Sequence, residues 1–182
     1  MSRWYIDEGP QGDVVISSRV RLARNFSSLP FPSRMDEEQS SMVMDKVKGV
    51  LLKKDSGDYR FSFVDMQELD PVSKQLLVEK HLISPDLAES RMKSGVIISE
   101  DESISIMVNE EDHLRIQCLF PGLQIENAWE SCDRIDNLIE KDIEFAYDEN
   151  YGYLTCCPTN IGTGMRASIM LHLPALVMAK HM

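Results

Sequence analysis

The stretch GVIISEDESISIMVNEEDHLRIQC, residues 95–118, decides the fold. Two β-rich runs at 95–99 and 103–108 are joined by an acidic turn, and a third run follows in which apolar and polar residues alternate up to Cys118. A strand, a helix, a strand and a helix are predicted before this stretch, and a helix and a strand after it. Three strands in succession favour an α+β domain, with a largely antiparallel sheet flanked by helices, over a doubly wound parallel sheet.

Hydrophobic periodicity places the other elements. Strands are predicted at 14–22, 59–66 and 151–156, and helices at 36–54, 70–82 and 124–143. A loop rich in Pro, Asn and Gly follows at 157–166, and an apolar helix interrupted at Pro174 is predicted over 167–182. Because that helix has no polar cap and needs a partner surface, we expect the sequence to be part of a longer protein.

Composition indicates an ordinary globular protein. The 182 residues are 43% apolar and 27% charged, which fits one domain or slightly more. A formal net charge of -11 argues against general binding to nucleic acid or membrane surfaces. No apolar run approaches the roughly 18 residues of a membrane span, and no signal-peptide pattern opens the chain. The four cysteines have no CxxC spacing and are expected to be reduced thiols in the cytoplasm.

The first polar cluster lies on the strand predicted at 14–22. Alternation gives this strand an apolar side with Val20 and Leu22 and a basic side with Arg19 and Arg21, which stand about 7 Å apart. Two like charges at this distance repel each other unless anionic groups lie between them. Either carboxylates of this acidic chain neutralise the pair, or the two guanidinium groups clamp a phosphate.

The second cluster is the run NEEDHLR at 109–115. Glu110 and Asp112 are expected to belong to a solvated acidic turn. If the alternation of the following strand extends back, Glu111, His113 and Arg115 share one face. A carboxylate beside an arginine could then align a cationic substrate or accept a proton. Metal binding by residues 111–113 is less favoured, because adjacent residues in a strand point in opposite directions.

The third cluster is the run CCPTNIGTGMR at 156–166. It has neither the Lys-Ser/Thr ending of a P-loop nor the glycine spacing of a dinucleotide-binding motif. Gly162 and Gly164 would let the backbone approach a ligand, and Arg166 would open the last predicted helix, where backbone amides favour anions. Cys157 is either a reactive thiolate or a small buried apolar residue.

Together these clusters resemble the signatures of the guanidino kinases, the ATP:guanido phosphotransferase family. The matching runs are SSRVR at 17–21, NEEDHLR at 109–115 and CPTNIGTGMRA at 157–167, and the resemblance extends from about residue 13 to the end of the chain. Only 16 residues precede the Ser-Ser-Arg run. In the creatine and arginine kinases a helical domain stands there, so the resemblance favours the bacterial protein arginine kinase branch.

The resemblance implies transfer of the ATP γ-phosphate to arginine side chains of proteins, with ATP and Mg²⁺ as cofactors and no metal ligand among the site residues. Glu111 would bind and orient the reacting guanidinium, and Cys157 would be the thiolate beside it. The nucleotide-binding residues implied are Ser17, Ser18, Arg19, Val20, Arg21, His81, Arg115, Arg166, Ala167, Ser168, Ile169 and Met170.

The resemblance also implies a setting and partners. It suggests the bacterial cytoplasm, a stress response, a zinc-binding activator protein, a stress repressor, Clp-type protease components and a possible homodimer. Residues 1–12 would be an N-terminal extension, and 13–182 the N-terminal portion of a catalytic domain that is incomplete at its C-terminus. Its exposed apolar tail would favour self-association.

Two alternatives from the sequence remain beside this hypothesis. One is a phosphagen-type kinase acting on free arginine or another small guanidino compound. The other is a non-catalytic module that binds nucleotide or phosphoarginine. A cysteine hydrolase built on Cys157 is least favoured, because no Cys/His signature surrounds that residue.

Overall fold

The computed structural model describes residues 3–52 and 59–179 of the chain. Helix α1 (Glu37–Leu51) begins at a capping box in which Asp36 and Gln39 exchange side-chain to backbone hydrogen bonds. The strands are β1 (Val15–Arg24), β2 (Phe61–Asp65), β3 (Gly95–Ser99), β4 (Ile104–Val108), β5 (Leu114–Pro121), β6 (Tyr147–Asp148), β7 (Gly152–Tyr153) and β8 (Met165–Leu171). The helices are α1 (Glu37–Leu51), α2 (Pro71–Glu79), α3 (Pro85–Glu89), α4 (Ile125–Glu140) and α5 (Pro174–Met178).

Six of these strands form one antiparallel sheet, in the order β2-β3-β4-β5-β1-β8. The stretch 95–118 supplies β3, β4 and the first part of β5, which are neighbours in the sheet. Strands β6 and β7 form a separate two-stranded ribbon. The α+β class and the largely antiparallel sheet predicted from sequence are therefore confirmed.

The two faces of the sheet differ in what covers them. On one face Val20 and Leu22 pack in a core with the apolar stripes of α1 and α4, whose residues Val47 and Ile135 are fully buried. On the other face a second apolar cluster, Met66, Leu82, Ile83, Leu87, Val96, Ile98 and Met107, covers β3 and β4. The same face carries arginines on β1 and β5.

The helix predicted over 167–182 is wrong over 167–173 and agrees with the structure over 174–178. Residues 165–171 form β8, and the only helix after them in the described residues is the short α5. Strand β8 pairs with β1 from Leu22↔Met165 to Ser17↔Met170. These backbone hydrogen bonds outweigh the modest helix preference of Ala, Met and Leu. Arg166 therefore lies on a strand and not at a helix N-terminus, and so do residues 167–170.

Smaller differences between the predicted and the observed element boundaries have local causes. The strand predicted at 151–156 is reduced to β7, because Leu154 N donates to Ala146 O and Cys156 N donates to Asp112 Oδ1. Helix α2 ends at Glu79, before His81 adopts a φ of 56°. Lys53 and Lys54, predicted to end the first helix, and residues 180–182 lie outside the described residues.

The end of the sheet exposes apolar side chains. Strand β8 is an edge strand, and its Ile169 and Leu171 are exposed, as is Val177 on α5. This agrees with the uncovered apolar tail expected from sequence, while self-association through it stays a prediction. Within residues 3–52 and 59–179, no helix has the length and apolar character needed to cross a membrane.

We predict that His113 makes the fold acid-sensitive. Its ring is fully buried, accepts a hydrogen bond from Phe26 N at 2.9 Å, and lies 2.9 Å from Pro30 O. Burial lowers the pKa of His113 below its ordinary 6.5, although the Pro30 carbonyl and the Asp112 charge act the other way. As the pH falls through 6.5, the His113 ring binds a proton in the unfolded chain but stays neutral in the folded chain. The free energy of unfolding should therefore fall, by up to about 1.4 kcal/mol per pH unit.

Urea unfolding between pH 7.5 and 5.5 tests this expectation. A His113→Gln variant should have a flatter pH dependence whatever its absolute stability. The matched His172→Gln variant, at an exposed position, should keep the wild-type slope. Equal slopes for His113→Gln and the wild type would contradict the assignment.

Candidate active site

Four arginines lie on the face of β5, β1 and β8 that is turned away from the α1 and α4 core. Arg19 and Arg21 project from β1, because Val20 and Leu22 between and beyond them point into the core. The register places Arg166 of β8 directly opposite Arg21. Arg115 of β5 lies opposite Ala23 and so comes to the same face. The sheet therefore collects arginines that are far apart in sequence.

The charge of this face is only partly neutralised. Within residues 3–52 and 59–179, neither Arg19 nor Arg21 forms an ion pair, and Arg19 Nε donates only to Ser168 Oγ at 3.3 Å. Burial together with the neighbouring arginines lowers the pKa of Arg19, and lowers that of Arg21 to about 10. Of the two alternatives left open by the sequence, this geometry favours an anion-binding pair over a carboxylate-neutralised one.

Arg115 is the arginine that does have carboxylate partners. Its Nη1 lies 2.8 Å from Glu110 Oε1 and its Nη2 lies 3.2 Å from Glu111 Oε2. The Glu110 side chain is only 3% exposed and also accepts from Ser84 Oγ at 2.6 Å. The expectation of a solvated carboxylate is therefore wrong for Glu110. Glu111 is 44% exposed and stands at the rim of the site.

A first cavity on this face has a volume of about 190 Å³. Arg19 and His81 contribute to its wall, and much of the remaining lining is apolar. The lining residues are Ser17, Arg19, His81, Leu119, Ser168, Ile169 and Met170. Six of these seven were predicted nucleotide-binding residues, and Leu119 was not.

The second cavity has a volume of about 140 Å³ and is more polar. It brings together Glu111, Cys157 and three of the arginines, although Cys157 and Glu111 come from separate loops. The lining residues are Arg21, Leu22, Ala23, Glu111, Arg115, Cys157, Thr159, Asn160, Gly164 and Arg166. A carboxylate, a thiol and a group of guanidinium ions can accept a cation and an anion side by side.

One buried carboxylate holds the two loops together. Asp112 is 1% exposed, and its Oδ1 accepts from Asn25 Nδ2 at 2.6 Å and from Cys156 N at 2.7 Å. Asp112 directly follows Glu111, and Cys156 directly precedes Cys157. The expectation of a solvated turn is therefore wrong for Asp112, whose contacts fix the relative position of Glu111 and Cys157.

The two adjacent cysteines have different environments. Burial raises the pKa of the Cys156 thiol to about 12, and the charge of Asp112 adds to this effect. Cys156 is therefore a neutral thiol at physiological pH. Cys157 lines the second cavity instead, with its Sγ 2.9 Å from Thr159 Oγ1.

A fifth arginine supports the glycine loop from beneath. Arg24 is 3% exposed and forms a buried ion pair with Asp136 of α4 at 2.6 Å. Its Nη1 also donates to Thr163 O at 3.0 Å. Gly164 has a φ of 63°, and a Cβ there would lie 2.6 Å from Ala23 O. Arg24 thus fixes the loop that leads to Arg166, and its charge is already matched.

Several residues singled out in the sequence do not line either cavity. Ser18 is fully buried, and its Oγ donates to Gly122 O and accepts from Gln124 N. Val20 lies in the core, and Ala167 lines neither cavity. His113 does not share a face with Glu111 and Arg115, since its ring faces Phe26 N and Pro30 O.

Sequence reasoning missed three kinds of site residue. Leu119 could have been found by continuing the alternation of Arg115 and Gln117 past Cys118. Thr159 and Asn160 lie in the third run but carry no periodic signal. The contacts of Glu110 with Ser84, and of Asp112 with Asn25, join segments that are distant in the chain and leave no local pattern.

Comparison with known proteins identifies the family. Residues 42–182 match ATP:guanido phosphotransferase, C-terminal catalytic domain. The solved structure of the duplicated taurocyamine kinase from Schistosoma mansoni, with bound transition-state-analogue components, is similar with a TM-score of 0.86 at 26% identity, over 96% of this chain and 26% of that one. Lombricine kinase, at 21% identity and a TM-score of 0.79 over 95% of this chain and 52% of that one, shares the fold. The chain therefore belongs to the ATP:guanido phosphotransferase family, which confirms the resemblance seen in its sequence.

Two curated relatives are more similar in sequence to this chain than these solved structures are. A protein named protein-arginine kinase from Pelotomaculum thermopropionicum is 48% identical over 183 aligned positions, and the alignment covers 100% of this chain and 51% of the relative. One of the same name from Halalkalibacterium halodurans is 52% identical over 180 residues, 99% of this chain and 51% of the relative. The chain spans about half the length of the curated relatives it matches.

We predict that the charge of Asp112 suppresses the reactivity of Cys156. An Asp112→Asn variant keeps an acceptor oxygen for Asn25 and for Cys156 N but removes the negative charge. The pKa of Cys156 should fall, and its thiolate fraction should rise about tenfold for each unit of that fall. Alkylation by iodoacetamide at pH 9, followed by mass spectrometry in a Cys157→Ser background, measures this.

The outcome separates two causes of the raised pKa. Faster alkylation of Cys156 in Asp112→Asn, with Cys118 and Cys132 still protected, would support the electrostatic effect. An unchanged rate would mean that burial alone sets the state of this thiol. Alkylation of the buried Cys132 would instead report loss of the fold.

Proposed function

We propose that this chain is part of a kinase that transfers the γ-phosphate of ATP to arginine side chains of proteins. The observation that carries the proposal is the pair Arg19 and Arg21, which have no carboxylate partner in the described residues. Arg21 lines the cavity that holds Glu111 and Cys157, and Arg19 lines the first cavity. The name protein-arginine kinase, carried by relatives 48–52% identical to this chain, supports the choice of acceptor.

The two cavities suggest how the nucleotide would lie. The first, with His81, Leu119, Ile169 and Met170 in its wall, offers the apolar and aromatic surface that a base prefers. Arg19 stands at this cavity, and Arg21 stands about 7 Å further along β1 at the second one. We infer that the base occupies the first cavity and that the phosphates extend toward the second.

The residues of the site fit phosphate and do not fit a protein-bound metal. In the part of the chain that the structure describes, no group of three or more His, Cys, Asp or Glu side chains is arranged to hold a metal ion. Guanidinium groups bind phosphate oxygens and repel cations. We therefore expect Mg²⁺ to arrive as a ligand of the ATP phosphates.

Electrostatics would supply most of the catalysis. Phosphoryl transfer spreads negative charge over the equatorial oxygens of the transferred group, which Arg21, Arg115 and Arg166 would face. The bond from the γ-phosphorus to the bridging oxygen breaks as a bond to an acceptor nitrogen forms. Glu111 would attract the cationic guanidinium, align one nitrogen with the phosphorus, and take the proton that this nitrogen loses. Cys157 lines the same cavity and would contact the guanidinium from a second side.

The exposure of Glu111 favours a protein acceptor. A side chain that is 44% exposed at the rim of a 140 Å³ cavity can be reached by an arginine side chain from a protein surface. The likeness to taurocyamine kinase supports the alternative of a small guanidino acceptor. A non-catalytic binding module is the second alternative, since the chain spans about half the length of its curated relatives.

Labelled ATP distinguishes these functions. The chain is incubated with Mg·ATP and either an arginine-rich protein or free arginine, and acid-labile phosphate is measured, because P–N bonds are acid-labile and P–O esters are not. We expect label on the protein. Label on free arginine alone would favour the phosphagen-type kinase, and nucleotide binding without transfer would favour the binding module.

We predict that two substitutions separate transfer from nucleotide binding. Glu111→Gln should lower the transfer rate by about 10²- to 10⁴-fold, the usual range for loss of a general base, with ATP affinity nearly unchanged. Arg21→Ala should weaken both, with ATP affinity falling about 10- to 100-fold for the loss of a charged hydrogen-bonding partner. Calorimetry with ATP and the acid-labile phosphate assay provide the two measurements.

Exposed residues of the same type serve as controls. Glu149→Gln and Arg34→Ala change the charge equally at exposed positions outside both cavities and should match the wild type. Equal ATP affinity for the wild type and Arg21→Ala would refute the role assigned to Arg21.

The cellular setting belongs to the same proposal. We infer a cytoplasmic kinase that depends on ATP and acts on protein substrates. The zinc-binding activator, the stress repressor, the Clp-type protease components and the homodimer stay predictions of the family resemblance, as does the domain boundary after residue 12.

A further inference from the structure

Trp4 lies in the segment predicted to be an extension outside the catalytic domain, yet it is 7% exposed. Its indole packs against the ring of His81, with ring centroids 5.7 Å apart and planes inclined at 56°. The family match covers residues 42–182 and so does not include Trp4. His81, which Trp4 contacts, lines the first cavity. The contact therefore connects the N-terminal segment to the wall of this cavity.

The residues on either side of Trp4 are tied to the residue before His81. Tyr5 donates its hydroxyl to Glu102 Oε2 at 2.7 Å, and Lys80 Nζ lies 2.7 Å from Glu102 Oε1. Arg3 Nε approaches the same carboxylate at 4.0 Å. Burial alone would raise the pKa of Glu102, but hydrogen bonds from Lys80 and Tyr5 outweigh it and lower that pKa, so the carboxylate stays charged.

His81 itself has an unusual backbone that needs support. Its φ of 56° lies in the left-handed region that residues other than glycine rarely adopt. Gln117 Nε2 donates to its carbonyl oxygen at 2.6 Å, and its own N donates to Val78 O at 2.9 Å. These two hydrogen bonds stabilise the backbone of His81, and the contact with Trp4 stabilises the position of its ring.

We propose that the N-terminal segment is part of the nucleotide site, with Trp4 as a positioning residue that holds the His81 ring in the wall of the first cavity. Trp4 acts through His81. The neighbouring residues Tyr5 and Lys80 both contact Glu102, and these contacts hold the two segments together. The proposal rests on the proposed function in one respect, that the first cavity receives the nucleotide base.

Trp4 can report on its own role, because the chain contains only two tryptophans. The other, Trp129, is 41% exposed on α4. In a Trp129→Phe variant the fluorescence is that of Trp4 alone. Titration with Mg·ATP should change this fluorescence saturably, with the same dissociation constant that calorimetry gives.

Substitution of Trp4 tests the energetic effect. Trp4→Ala should weaken ATP binding about three- to tenfold, the range expected for loss of an aromatic contact, and leave the rate at saturating ATP within about twofold. Trp4→Phe should restore most of the affinity because it keeps a ring against His81. Trp129→Ala is the matched control and should bind ATP as the wild type does.

Each outcome decides a separate question. If the wild type binds ATP and Trp4→Ala binds it equally well, with no fluorescence change from Trp4, the inference fails and the proposed function stands. If the wild type does not bind ATP, the nucleotide site fails together with the inference. Should Trp4→Ala not fold, Tyr5→Phe keeps the ring and removes the hydrogen bonds of the hydroxyl to Glu102 and from Arg3. Its unchanged affinity combined with silent Trp4 fluorescence would overturn the inference.

Discussion

Repulsion between Arg19, Arg21 and Arg166 is the physical constraint around which the site is built. The alternation of β1 directs its arginines away from the core, and the pairing of β1 with β8 places Arg166 opposite Arg21. Concentrated positive charge of this kind persists in a fold only because Val20 and Leu22, on the other side of the same strand, are buried with α1 and α4. The apolar side of β1 holds in place a basic side that would otherwise push the strands apart.

The five arginines of this region fall into three groups by partner. Arg24 is buried and paired with Asp136, so its charge supports the glycine loop. Arg115 is shared between Glu110 and Glu111, which ties the basic face to the acidic turn. Arg19, Arg21 and Arg166 have no such partner within the described residues. This division makes the face selective for anions at one place and able to hold a guanidinium at the next.

Local pattern predicted most of the fold and part of the site. The alternation of β1 and the three successive strands at 95–118 were sufficient for four neighbouring strands of the sheet. The three polar runs contained Arg21, Glu111 and Cys157, which share one cavity. Strand β8 was mistaken for a helix because its alternation over 165–169 is short and runs into apolar, helix-favouring residues. Its pairing with β1 makes it a strand. Asp112 was mistaken for a solvated residue because its partners lie 87 and 44 positions away.

The arginines without an ion-pair partner lower the stability of the folded protein while they raise the affinity of this face for anions. An uncharged residue in place of Arg21 would relieve repulsion with Arg19 and Arg166, so the folded state would gain stability as the site lost its ligand. Conversely, any polyanion that settles on this face would make the protein harder to unfold by heat. A search for more stable variants of this protein would therefore tend to select against the arginines to which phosphate binding is assigned in the proposed function.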